Sequence, residues 1–139
     1  AAVDRCKATS WPPSTPGMVN FRVADMAALP YAINEFDLVV DVASLQCLDH
    51  ENAKIAILEV ARVLKPGGRF FSYTSRDGTS PEAHRGMFTR SMTRRDVDDL
   101  YGAFFDVRTI DIATHSDNNG AAFVKHWIIV ALKTAGSDR

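Results

Sequence analysis

Between Phe36 and Val42 the chain reads Phe-Asp-Leu-Val-Val-Asp-Val. This β-branched run has the length of a strand covered on both faces. Asp49 then stands where an N-cap carboxylate would accept from a free backbone amide, and Glu51 suits the first turn of a helix. Ala53, Ile57, Val60 and Leu64 follow at helical spacing, one apolar stripe on an otherwise polar element. Pro66-Gly67-Gly68 ends that helix with a residue that cannot continue it and two that accept left-handed angles. Arg69 to Thr74 is the next strand. A helix between two strands implies parallel neighbours and an α/β layered fold.

The rest of the chain fits around this unit. Ala1 to Asp4 reads as the tail of a strand, and Ser10-Trp11-Pro12-Pro13-Ser14-Thr15-Pro16-Gly17 as a loop, since proline lacks the donor that a helix or central strand requires. Val19, Phe21 and Val23 alternate with Asn20, Arg22 and Ala24, the period of a strand, and Leu29-Pro30 stops it. After a polar stretch from Ser75 to Ser91, Thr93 and Asp96 form a capping box. Val97, Leu100, Tyr101 and Phe104 give the stripe of a short helix. Phe105 to Ile112 and Phe123 to Leu132 are strands separated by the turn Asp117-Asn118-Asn119-Gly120, so they should pair antiparallel. The expected fold is a Rossmann-like three-layer α/β sandwich, mostly parallel, with one antiparallel strand near the C-terminus.

Composition narrows the function classes. The 139 residues fit one domain, 1–139. With 16 Lys+Arg against 17 Asp+Glu, the chain lacks the clustered positive excess of a nucleic-acid binder. No apolar run approaches the ~18–20 residues that cross a bilayer, and no secretory signal opens the chain. Cys6 and Cys47 make neither a disulfide framework nor a metal spacing, so two reduced thiols in a cytoplasmic protein are expected. No metal site is expected.

Open parallel sheets bind ligands outside the carboxyl ends of their strands. That rule selects Asp4, Asp25-Met26, Asp41 to Leu45 and Tyr73 to Arg76. A carboxylate at a strand end can accept hydrogen bonds from ribose hydroxyls or an exocyclic amine, and a neighbouring Met can cover a base. Three runs then occur in order: Phe21-Arg-Val-Ala-Asp25-Met-Ala-Ala-Leu29-Pro30, Phe36-Asp37-Leu-Val-Val, and Glu59-Val-Ala-Arg62-Val-Leu-Lys-Pro-Gly-Gly68. Together they resemble the class I S-adenosylmethionine-dependent methyltransferases, with specific motifs over residues 1–75 and only the element pattern over 93–132. The resemblance implies S-adenosyl-L-methionine as cofactor and methyl transfer, and the near-neutral charge points to a small-molecule acceptor. The resemblance also implies that Asp25 contacts the adenine amine with Met26 beside the ring, and that Asp4 binds the ribose. Ala43 and Ser44 fall where cofactor meets acceptor. Val63, Leu64, Pro66 and Gly68 are structural in that scheme.

Family members begin with a strand, a Gly-rich loop and a helix whose bare backbone holds the methionine end of the cofactor. Here the first glycine is Gly17 and no Gly-x-Gly occurs, so the strand–helix unit is expected to be absent and the domain incomplete. Trp11-Pro12-Pro13 also stands where the family places a helix. His50 is a candidate substrate-side base against the plainer reading of a helix-start residue. Tyr73 and Ser75 are candidates to orient an acceptor. His126-Trp127 reads as a packed, hydrogen-bonded pair, and Arg90, Arg94 and Arg95 as a solvated helix start. The competing functions are a non-catalytic binding module of the same fold, and an interaction module that self-associates through exposed sheet edges.

Overall fold

The computed structural model describes residues 20–78, 89–116 and 123–134. The readings at Asp4, Cys6, the Pro-rich loop and the turn at 117–120 lie outside these residues. Strand β1 (Phe36–Val42) is followed by a 3-10 turn (Leu45–Cys47), helix α1 (His50–Val63) and strand β2 (Leu64–Ser75). Helix α2 (Arg94–Tyr101) and strands β3 (Phe105–Ser116) and β4 (Phe123–Lys133) complete the set.

The sheet order is β1-β2-β4-β3. β1 and β2 are parallel, and β4 runs antiparallel to β2 on one side and to β3 on the other. Three strands therefore point one way, and β4 alone runs against them, as the short connection before Phe123 requires.

Local chemistry accounts for the helix ends. Asp49 accepts from the Asn52 amide at 2.9 Å, and Arg62 lies in the last turn of α1, matching the helix dipole. Thr93 and Asp96 form the expected reciprocal box. Ala56, Ile57, Val60, Val97, Leu100 and Tyr101 pack on one sheet face against Phe70, Ile129 and Ala131. Phe70 stacks on Tyr101 with ring centroids 5.7 Å apart. Both helices thus cover the same face, giving the helix-on-sheet part of the α/β sandwich.

Two readings need correction. Residues 20–24 form no strand. Asp25 bridges Ala28 in a tight turn instead, and Val23 is 80% exposed. Alternation makes a strand only where a neighbouring edge takes up its amides and carbonyls, and no described strand lies beside this segment. The second correction concerns α1, which ends at Val63, before Pro66-Gly67-Gly68. Pro66 has no amide to give the ladder, and the β1–β2 register shifts between Phe36↔Leu64 and Leu38↔Arg69.

Candidate functional site

At the carboxyl end of β1 the backbone turns sharply at Ala43, which has φ 60°, a left-handed conformation uncommon outside glycine. The Ala43 amide donates to the Tyr73 carbonyl at 2.8 Å, tying the strand ends together. Asp41, only 7% exposed, stabilises the turn. Its Oδ1 accepts from the amides of Ser44 (3.2 Å) and Leu45 (3.3 Å) and from the Ser44 hydroxyl. Its Oδ2 accepts from Ser72 Oγ at 2.9 Å. The Ser72 hydroxyl lies 2.8 Å from the Tyr101 hydroxyl. Because Ser72 spends its proton on Asp41, Tyr101 is the donor to Ser72. Burial pushes the Tyr101 phenol well above its ordinary range, keeping it a neutral donor. Gln46 closes the rim: its side-chain oxygen accepts from the Ser75 amide and its carbonyl from the Arg90 amide, both at 2.7 Å.

The Asp25–Ala28 turn sits beside this end of β1. The Asp25 side chain accepts from the Ala27 amide at 2.9 Å and is otherwise exposed. Met26 packs half-buried against the core. It lines a cavity of about 160 Å³ together with Asp41, Ser44, Leu45, Val60 and Phe70. Pockets that enclose a drug-sized ligand run ~300–1,000 Å³, so this mostly apolar space suits one ring of a ligand rather than the whole of it. The structure therefore brings Met26 and Ser44 together around one cavity, with Asp25 and Ala43 adjoining them in sequence.

The remaining candidates are placed differently. His50 is the exposed first residue of α1. Tyr73 stacks on His126 with centroids 4.1 Å apart, and burial raises the Tyr73 phenol. Ser75 is buried and lies 3.4 Å from Ser91 through their hydroxyls. Trp127 faces the helices, donates to the Met92 carbonyl at 2.8 Å and lies under the Arg76 guanidinium. Arg94 and Arg95 pair with Asp98 and Asp99 on the exposed side of α2, the solvated face expected of them.

Sequence reasoning missed Gln46, Glu59 and Arg62 as residues that shape the site, and it selected Asp41 without the partners that hold it. Their partners stand about thirty positions away in most cases, and no local spacing announces such pairs. The Glu59–Arg62 spacing on one helix face was visible; what the pair holds was not.

The methyltransferase domain family model matches residues 1–72. No curated protein sequence matches the chain. A SAM-dependent methyltransferase from Methanosarcina mazei superposes with TM-score 0.78 at 19% identity, covering 96% of this chain and 76% of its own. The 1,6-didemethyltoxoflavin-N1-methyltransferase of Burkholderia thailandensis gives TM-score 0.62 at 18% identity over 78% of this chain and 48% of its own. The geranyl diphosphate C-methyltransferase of Streptomyces coelicolor gives 0.63 at 15% identity, covering 81% and 52%. At such identities these likenesses speak to the fold, and the chain spans between about half and three-quarters of their lengths. Family model and fold agree: the chain belongs to the methyltransferase domain family and has the fold of S-adenosylmethionine-dependent methyltransferase structures.

Proposed function

We propose that this chain carries the adenosine-facing and acceptor-facing parts of a site that methylates a small molecule. The observation that carries the reading is the meeting of Met26 and Ser44 around one cavity at the carboxyl end of β1, with the exposed Asp25 carboxylate next in sequence. These residues suit the adenosine end of S-adenosylmethionine. Asp25 has lone pairs left to accept from an exocyclic amine, Met26 offers a soft apolar face to a base, and Ser44 with Ala43 forms the floor towards the acceptor. Asp4 is the proposed ribose ligand. When bound, the cofactor supplies an electrophilic methyl group on a sulfonium. The chain's own residues then have mainly to align donor and acceptor, and alignment alone can supply ~7–11 kcal/mol of a barrier.

A small acceptor is favoured by the near-balanced charge of 16 Lys+Arg and 17 Asp+Glu, which provides no phosphate-tracking excess. Among the described residues no helix is long and apolar enough to cross a membrane. A cytoplasmic setting is part of the proposal, supported by the exposed free thiol of Cys47. Self-association is its second partner reading, supported by the position of β1 at one end of the described sheet.

The test is titration calorimetry of the chain with S-adenosylmethionine and S-adenosylhomocysteine, with solution mass recorded alongside. Micromolar binding is expected. Asp25→Ala should weaken it about tenfold to a hundredfold, the range for losing a hydrogen bond to a charged group. A folded chain that binds neither ligand would favour the non-catalytic module.

A further inference from the structure

The segment 25–31, which presents Asp25 and Met26, belongs to no strand. Its own backbone bonds, Ala28 to Asp25 and Tyr31 to Leu29, are internal to it. Arg22 donates to Pro30 at 3.0 Å, yet Arg22 lies on the same stretch and anchors it to nothing else. Among the described residues, every polar link from this segment to α1 runs through Glu59 and Arg62. Glu59 Oε2 accepts from the Leu29 amide at 2.8 Å. Arg62 donates through Nη1 to the Tyr31 carbonyl at 2.8 Å and through Nη2 to the Leu29 carbonyl at 2.9 Å. The two side chains also pair with each other in a fork, Nε to Oε1 at 2.7 Å and Nη2 to Oε2 at 2.8 Å. They are 16% and 32% exposed, for Glu59 and Arg62 respectively.

We infer that the Glu59–Arg62 pair positions the cofactor-facing segment: it clamps the backbone of Leu29 and Tyr31 to α1 and so sets where Asp25 and Met26 stand. The inference rests on the proposed adenosine site and says how that site is held. The fork is essential to it. A guanidinium spans two carbonyls and a carboxylate in one plane, whereas an ammonium is a single point of charge. The Leu29 amide and carbonyl are both taken by the pair, so the segment can neither slide along α1 nor rotate about its own axis without breaking a charge-assisted bond. The far end is anchored separately, by the Asn34 amide to the Arg62 carbonyl at 3.0 Å and by Lys133 Nζ to the Asn34 side chain at 2.8 Å. Loss of the clamp should therefore leave 25–31 held only by apolar contacts, Met26 on the core and Tyr31 edge-on to Phe36, and leave the sheet intact.

Two readouts on the same variants test this. Hydrogen exchange of Arg62→Met, and of Arg62→Lys as the milder change, should rise at residues 27–31, with β2 and β4 protected as in the parent. S-adenosylhomocysteine affinity should fall about tenfold in Arg62→Met. Adding Arg62→Met to Asp25→Ala should cost clearly less than it does in the parent, because one of the two contacts that the clamp positions is already gone and only that of Met26 remains. Unchanged exchange at 27–31 overturns the inference, as do affinity losses that multiply in the double variant. If Asp25→Ala binds as the parent does while exchange at 27–31 rises in Arg62→Met, the clamp stands and the adenosine reading falls. A parent chain that binds no ligand likewise removes that reading and leaves exchange to decide the clamp.

Discussion

Two adjacent glycines show how differently one residue type is constrained. A Cβ on Gly68 would sit 2.8 Å from the Lys65 carbonyl oxygen, 3.0 Å from Leu64 Cδ2 and 3.3 Å from the Asp37 carbonyl oxygen. Two of these are backbone atoms that cannot swing aside. Gly67 has open space around it, but its φ is +75°, where only Gly, and occasionally Asn or Asp, sits without penalty. Gly68→Ala should therefore destabilise by about 1–3 kcal/mol, the usual cost of overpacking, whereas Gly67→Asn should stay within ~0.5 kcal/mol of the parent. Urea unfolding of both variants checks the order, and equal midpoints would refute it. At this scale the sequence showed where residues fall but not what they touch. Ser44 could be placed at a strand end, Met26 was expected at the end of a strand that does not form over residues 20–24, and the two share a cavity all the same. The chain Tyr101–Ser72–Asp41–Ser44 could not be read, because it joins three separate elements and each hydroxyl or carboxyl looks ordinary in its own context.

Elements were legible where their signals were local. Both helix starts were visible because a cap and its partner lie three residues apart, and the stripe that follows needs only a period. The strand expected from Val19 to Val23 does not form over the described residues 20–24, because its stability depends on a neighbour's edge, which periodicity does not report. The α2 cap also predicts a pH response. The Asp96 carboxyl is held below its ordinary range, chiefly by the Thr93 hydroxyl, against the opposing effect of burial. A carboxyl depressed by folding adds stability above the unfolded pKa, and that stability is lost as pH falls through the depressed folded value. The contribution should therefore be full at neutral pH and fade below about pH 4, where an unfolded Asp begins to take up its proton. Thr93→Ala should cost about 1 kcal/mol at pH 7 and, like Asp96→Asn, should flatten part of the acid limb of a stability–pH curve. Urea midpoints at pH 7 and pH 3 measure both effects. An unchanged acid limb in Asp96→Asn would show that other carboxylates, Asp49 and Glu59 among them, carry the whole response.

At the scale of the whole molecule, topology followed from connection lengths. A helical return makes β1 and β2 parallel, and a short one makes β3 and β4 antiparallel. Which face of the sheet is covered did not follow. The β1 run read as a strand buried on both faces, yet only the face carrying Val39 and Asp41 meets helices. On the other face Leu38, Val40 and Val42 are 54%, 55% and 63% exposed. Phe71 and Tyr73 of β2 and Ile128 and Val130 of β4 continue the same side half-buried. A contiguous apolar surface across three strands is the kind that binds apolar probes. The chain should enhance the fluorescence of an anilinonaphthalene dye under native conditions. The triple variant Leu38→Thr, Val40→Thr, Val42→Thr should lose most of that signal, and unfold within ~0.5 kcal/mol of the parent per substitution, because threonine keeps the strand preference and these side chains have little packing to lose. Dye binding unchanged in the variant would place the apolar surface elsewhere. A steep loss of stability would mean that these three side chains are packed against something in solution.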